Sequence, residues 1–228
     1  MSIRGILFDF NGTLYFDSRM HIDAFNEVFT GYGAPTHDDA YMVANIFGRD
    51  NGTIFRQNVD PDATPEEIEE FAQKKELCYQ AMCKSSEGGD RLVKGADELL
   101  DFLKESGIPY CMATGSDWIN VQFYFDCLGL GRWFSKENIV YCDKTYPGKP
   151  APDIYKIAAR RIGLDPSECL VFEDGTSGIL SANGAGAAKV VLIHEDGYPS
   201  PLTEETVVDR MEDDFANWRE ILTEYGII

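Results

Sequence analysis

The sequence predicts an α/β protein with a parallel sheet and a helical insertion after the first strand. Three observations carry that prediction. The short apolar run at 5–8 ends on a carboxylate, Asp9, and Asn11-Gly12-Thr13 follows, which reads as a buried strand delivering Asp9 to a sheet edge at a turn. After about residue 90, short apolar runs alternate with helical patterns, the signature of right-handed βαβ units. Residues 16–90 break that alternation and read as helical throughout.

Taken in order, residues 3–8 form the first strand. In the insertion, Ile22, Phe25, Val28 and Phe29 share one face of a helix over 20–29. Thr64-Pro65-Glu66-Glu67 supplies a cap, a proline at the first helical position and a glutamate three residues after the cap, and opens a helix that runs to about Lys84. Ser85-Ser86-Glu87-Gly88-Gly89 reads as a hinge back to the core. Helices are then expected at 95–105, 118–128, 151–162 and 177–185, and strands at 110–113, 139–141, 169–172 and 189–193. The acidic run 209–214 reads as a solvated face or loop. The expected domains are 1–15 with 91–228 as the core and 16–90 as the insertion.

The chain has 228 residues, enough to bury a sizeable core, and 39 acidic against 20 basic residues give a formal charge of −19. Such a field repels nucleic acid and anionic membranes, so neither is an expected partner. Any phosphate site would need local help from a metal, helix N-termini and a few cations. None of the six cysteines falls in a C-x-x-C pattern and only three histidines exist, which argues against zinc. Cys111 and Cys169 sit in apolar runs, where a thiol behaves as a small hydrophobe, and a reducing cytoplasm is the expected location. The leading apolar run is broken by Asp9 and does not read as a signal peptide, and no stretch is long enough to span a membrane.

Four short pieces carry the chemistry. Asp9-Phe10-Asn11-Gly12-Thr13 is the first. Ala113-Thr114-Gly115-Ser116 ends a strand and precedes a helix, whose N-terminus is a natural anion site; Ser116 or Asp117 would cap it. Gly148-Lys149-Pro150-Ala151-Pro152 opens a helix and offers a point charge. Val171-Phe172-Glu173-Asp174-Gly175 places paired acids at a strand end, which suits a hard oxygen-seeking cation.

In this order, over nearly the whole chain, the four pieces resemble the haloacid dehalogenase-like hydrolase superfamily, in its β-phosphoglucomutase-like and phosphatase branch. The resemblance implies a doubly wound, modified Rossmann-like core with a central first strand, and an all-helical cap domain. It implies Mg²⁺-dependent hydrolysis of a small phosphorylated metabolite through an aspartyl-phosphate on Asp9. Thr114, Gly115 and Ser116 would bind phosphoryl oxygens, and Lys149 would balance their charge. Mg²⁺ would be held by Asp9, the backbone carbonyl of Asn11 and Asp174, with Glu173 in support. Arg49 and His21 would reach the substrate from the cap, the alternatives being an ordinary surface arginine in a loop and a surface histidine at a helix start. The expected assembly is a monomer or weak homodimer.

Two positions depart from the family pattern. Gly175 stands where a serine is usual. More consequentially, Asn11 stands where most phosphatases of the family have the aspartate that acts as general acid and base. An amide can donate and accept hydrogen bonds but transfers no proton. Losing that role typically costs about 10²–10⁴ in rate, so a slow hydrolase is expected. The competing class is a catalytically weak or inactive phosphate-binding or regulatory protein. A mutase reading is weaker, because passing phosphate to a sugar hydroxyl needs a base. Dehalogenase members do without Mg²⁺, which Glu173-Asp174 argues against. Phosphonate hydrolysis by a cap lysine is a minor alternative: the comparable region offers Arg49, while Lys74, Lys75 and Lys84 lie elsewhere. Asn11-Gly12 is also a sequence prone to deamidation, which would leave a small active fraction.

Overall fold

The computed structural model describes residues 2–86 and 89–228, so Glu87 and Gly88 of the expected hinge lie outside the described residues. Among the described residues six strands form one sheet: β1 (Gly5–Phe8), β2 (Tyr110–Ala113), β3 (Ile139–Val140), β4 (Cys169–Glu173), β5 (Lys189–Ile193) and β6 (Arg210–Glu212). Every pairing is parallel, in the order β3-β2-β1-β4-β5-β6. The first strand is therefore central, with Ile6 opposite both Tyr110 and Leu170. The winding reverses between β1 and β4. In open parallel sheets that reversal opens a crevice at the carboxyl ends of the strands.

All residues of β1, β2 and β4 are buried, which explains their continuous apolar runs: a parallel sheet is covered on both faces. On one face Leu7, Ala113, Val171 and Leu192 pack with Tyr155 and Ala158 of α7 (Asp153–Arg161) and Ile179 of α8 (Thr176–Ala185). On the other, Phe8 stacks on Phe172 with ring centroids 5.3 Å apart, and Phe215 lies against both at 6.3 and 5.1 Å. Helix α5 (Ala96–Ser106) is bounded by Gly95 and Gly107, both left-handed, and buries Leu99, Leu100 and Leu103. Helix α6 (Trp118–Leu128) is capped by Asp117, whose side chain accepts from the Asn120 N–H.

The chain divides into two compact units, 1–16 with 91–196 and 200–228, and 17–90 with 197–199. The second unit contains α1 (Ser18–Gly31), α2 (Asp39–Asn45), α3 (Asn51–Asn58) and α4 (Pro65–Ser85). Phe25, Phe29 and Phe55 gather around Phe71, each ring 4.9–6.3 Å from it. Thr64 and Glu67 form the reciprocal capping box that the sequence predicts at the start of α4. Among the described residues no helix is long and apolar enough to cross a membrane.

Of the two expectations for the acidic run 209–214, the solvated face holds, with Asp209, Met211 and Asp213 exposed, and the loop is corrected. Arg210, Met211 and Glu212 pair with Val191, Leu192 and Ile193 as the edge strand β6. No apolar alternation announces it, because the strand is held by the ladder and by charge. Arg210 meets Glu212 at 2.5 Å, Glu220 at 2.9 Å and Glu224 at 2.5 Å, the last two on α9 (Trp218–Glu224). Asp209 takes the Lys189 ammonium at 2.6 Å and the Val190 N–H at 2.9 Å.

Phe215, which directly follows this run, is fully buried. Phe215→Ala is therefore expected to lower the unfolding free energy by about 3–5 kcal/mol in a urea titration.

Candidate active site

The site forms where β1 and β4 end, at the reversal of the sheet. Asp9 follows β1 directly, is 6% exposed, and its N–H donates to the Phe172 carbonyl at 2.9 Å. The chain then turns through Gly12, with φ +78°, whose N–H donates to the Tyr15 carbonyl at 2.8 Å. A Cβ at Gly12 would overlap the Asp174 carboxylate, so glycine lets the turn after β1 close onto the end of β4. Thr13 Oγ1 donates to Asp174 Oδ1 at 3.3 Å across the same gap.

Lys149, in the loop before α7, joins the two strand ends. Its Nζ donates to Asp9 Oδ1 and to Glu173 Oε1, both at 2.5 Å. Glu173 Oε1 also accepts from the Tyr155 hydroxyl at 2.6 Å, and Oε2 accepts from the backbone N–H groups of Asp174 and Gly175 at 3.0 and 3.2 Å. Gly178 is required here, because a Cβ would occupy the place of the Glu173 carboxylate. Burial pulls the Lys149 ammonium towards neutrality, but the charges of Asp9 and Glu173 outweigh it and raise its pKa. Burial, followed by the Glu173 charge, raises the Tyr155 phenol well above its usual value, so it stays a donor.

Oxygens of Asp9, Glu173 and Asp174 lie within 4.8 Å of one another. Three carboxylates against one ammonium leave the cluster short of positive charge, and every donor is a carboxylate oxygen. That chemistry fits a hard divalent cation such as Mg²⁺ and does not fit zinc, whose sites favour thiolate and imidazole.

The turn after β2 lies next to this cluster through Asn11. Thr114 is fully buried; its N–H donates to the Val140 carbonyl at 2.9 Å, and its Oγ1 accepts from the Ser116 N–H at 3.0 Å. Asp117, not Ser116, caps the following helix. The Ser116 hydroxyl instead donates to Asn11 Oδ1 at 2.9 Å, while Asn11 Nδ2 donates to the Tyr124 hydroxyl, also at 2.9 Å. Gly115 is exposed at the tip of the turn.

His21 and Arg49 belong to the second unit. His21 stacks on Tyr79 at 4.1 Å, with Asp17 Oδ2 3.3 Å from Nε2 and the Lys75 ammonium 3.0 Å from Nδ1. Asp17 and Lys75 are buried, so His21 stands in a polar network rather than on an open surface. Arg49 is exposed, and its N–H donates to the Ile46 carbonyl at 3.1 Å. Sequence reasoning missed Tyr155, Tyr124 and the Asp17–Lys75–Tyr79 group. The first two lie in I-Y and F-Y-F contexts that read as core packing, and only their hydroxyls tell otherwise.

Fold and site together define a class, a phosphoric monoester hydrolase on a doubly wound α/β core. Residues 3–186 match the haloacid dehalogenase-like hydrolases, and the chain belongs to that family. It is similar over its full length to the crystal structure of a family IA, variant 3 hydrolase from Entamoeba histolytica, with 33% identity, 98% of that chain covered and a TM-score of 0.81. An Asp-to-Asn mutant of CbbY from Rhodobacter sphaeroides, in complex with xylulose-1,5-bisphosphate, is 28% identical over 94% of this chain and 95% of that one, with a TM-score of 0.77. A probable pseudouridine-5′-phosphatase of Drosophila melanogaster is 29% identical, over 82% of this chain and 80% of its own.

Lys149→Ala leaves Asp9 and Glu173 buried beside each other without their cation. It is expected to lower stability by about 3–5 kcal/mol in denaturant titrations with EDTA present. Because its pKa is raised on folding, the stabilisation from Lys149 is fully present below its ordinary value of 10.5 and fades only as pH rises through the higher folded value. Deamidation at Asn11 requires the Gly12 nitrogen to reach the side-chain carbonyl. With that N–H committed to Tyr15 and the amide held at both ends, the one-dalton-heavier peptide should accumulate in denatured protein well before folded protein by mass spectrometry.

Proposed function

We propose that this protein is a Mg²⁺-dependent phosphatase of a small phosphorylated sugar, acting through an aspartyl-phosphate on Asp9 and slowed by Asn11. The observation that carries the reading is Lys149 bridging Asp9 and Glu173 at the reversal of the sheet, beside the Thr114 turn. Mg²⁺, held by Asp9, the Asn11 backbone carbonyl and Asp174 with Glu173 alongside, would supply charge neutralisation for the incoming phosphoryl group.

The chain's own residues do the rest. Lys149 pins Asp9 by Oδ1 and so fixes the direction from which the carboxylate meets phosphorus. The Thr114 hydroxyl and the backbone of Gly115 and Ser116 receive phosphoryl oxygens at the start of α6. Attack forms the Asp9–phosphorus bond and breaks the bond to the leaving oxygen, which takes its proton from solvent because Asn11 has none to give. Water then attacks the aspartyl-phosphate without a base at position 11. Both steps suffer, but a leaving group that needs no proton suffers only in the second. Arg49 and His21 would contribute substrate selectivity from the cap domain.

The sugar-phosphate class is supported by the relatives, one crystallised with a sugar bisphosphate and another named for a nucleoside monophosphate. One observation favours a second reading, a phosphate-binding regulatory protein: the Asn11 side chain, bonded to Ser116 and Tyr124, is an amide and transfers no proton. We also propose a cytoplasmic location, supported by the thiols of Cys111 and Cys169, which burial pushes up to about 12. A monomer or weak homodimer without nucleic-acid or membrane partners fits the charge of −19.

Mixing the protein with Mg²⁺ and 4-nitrophenyl phosphate should release about one nitrophenolate per site in a burst, followed by slow turnover, and EDTA should abolish both phases. Linear kinetics with a preference for hexose phosphates would contradict the role given to Asn11, and no release under any condition would favour the binding protein. Asn11→Asp should raise steady-state turnover by about 10²-fold or more and remove the burst.

A further inference from the structure

We infer that Tyr124 is a positioning residue of the active site and acts through Asn11, its hydroxyl and that of Ser116 together fixing the amide that stands where a proton would be transferred. Tyr124 lies on α6 with no exposed surface, its ring 4.5 Å from Phe10. For that packing a phenylalanine would serve equally. A hydroxyl buried without partners costs free energy, so its presence in the core has to be matched by groups that bond it.

Those groups are at the site. Asn11 Nδ2 donates to the Tyr124 oxygen, the Ser116 hydroxyl donates to Asn11 Oδ1, and the two hydroxyl oxygens are 3.3 Å apart. The two hydroxyls and the amide thus form a ring of mutual contacts, with Ser116 donating to Asn11 Oδ1 and Asn11 Nδ2 donating to the Tyr124 oxygen. The ring closes this way around an amide. A carboxylate has no N–H to give, so both hydroxyls would have to turn and donate to it. It also keeps a further negative charge away from a cluster in which three carboxylates already face one lysine.

The consequence is mechanical. Asn11 belongs to the turn after β1 and Ser116 to the turn after β2, and Tyr124 comes from two helical turns further along α6. The ring therefore locks the segment next to Asp9 onto the segment that carries Thr114. Removing the phenol oxygen should loosen that lock and leave the ground-state grip of the Thr114 turn in place, so the rate should fall more than the affinity.

The test is a double-mutant cycle of Tyr124→Phe and Asn11→Ala in the full chain, read two ways. The kinetic arm rests on the phosphatase reading and uses the 4-nitrophenyl phosphate burst. Tyr124→Phe should lower the burst rate constant about 3- to 10-fold, the worth of one hydrogen bond, with KM nearly constant, and should add no further loss in the Asn11→Ala background. The same loss in both backgrounds would overturn the inference, because Tyr124 would then act on packing alone. The spectroscopic arm needs no turnover: in ¹⁵N-labelled protein the Asn11 side-chain amide protons should exchange slowly with solvent, and Tyr124→Phe should shift them and speed their exchange. An amide that exchanges at the same rate with and without the phenol oxygen would overturn the inference even in an active enzyme. If the wild-type protein releases no nitrophenolate, the phosphatase reading falls and the amide signals alone decide.

Discussion

The ion pair that Lys149 makes with Asp9 and Glu173 organises the rest of the core. Without a cation between them, two carboxylates at neighbouring strand ends would repel in a place that water barely reaches. The lysine arrives on the loop before α7, and α7 also carries Tyr155, whose hydroxyl takes the same Glu173 oxygen. The loop before α7 and α7 itself thus each deliver one donor to one carboxylate. The remaining oxygen of Glu173 is taken by the backbone just after β4, so the acid is gripped from both sides.

Two glycines follow from this arrangement. Gly12 and Gly178 stand against the carboxylates of Asp174 and Glu173, and each position is closed to a side chain by the acid itself. Gly12 has the additional demand of a left-handed backbone, which turns the chain after Asn11 back towards Tyr15. The local shape of both loops is set by where charge must sit.

Asn11 changes the balance of this machinery without dismantling it. On the proposed reading, Asp9 as nucleophile, Lys149 and the acidic cluster supply the electrostatic placement that is usually the larger part of such catalysis. What the amide removes is proton transfer. What it adds is a fixed hydrogen-bonded link between two strand-end turns, which a carboxylate would make only with both hydroxyls turned towards it.

Much of the fold was legible in the sequence because the dominant force acts on patterns that a single chain displays. Continuous apolar runs at 110–113 and 189–193 mark strands buried on both faces, and the strand bounds follow them. The Thr64–Glu67 box marks a helix start because its bonds are local. Edge strand β6 was not legible, since its stability comes from the ladder with β5 and from Arg210 charges paired across elements rather than from apolar alternation. At the site, residue types and order pointed to Asp9, Thr114, Lys149, Glu173 and Asp174 as one group. The sequence determined by itself which groups carry charge and in what order they come along the chain. Tertiary structure alone decided that a helix tyrosine bonds Asn11, that Tyr155 shares Glu173 with Lys149, and that Ser116 turns to Asn11 and leaves the cap of α6 to Asp117, because hydroxyl partners on different elements are set by packing geometry and leave no periodic trace.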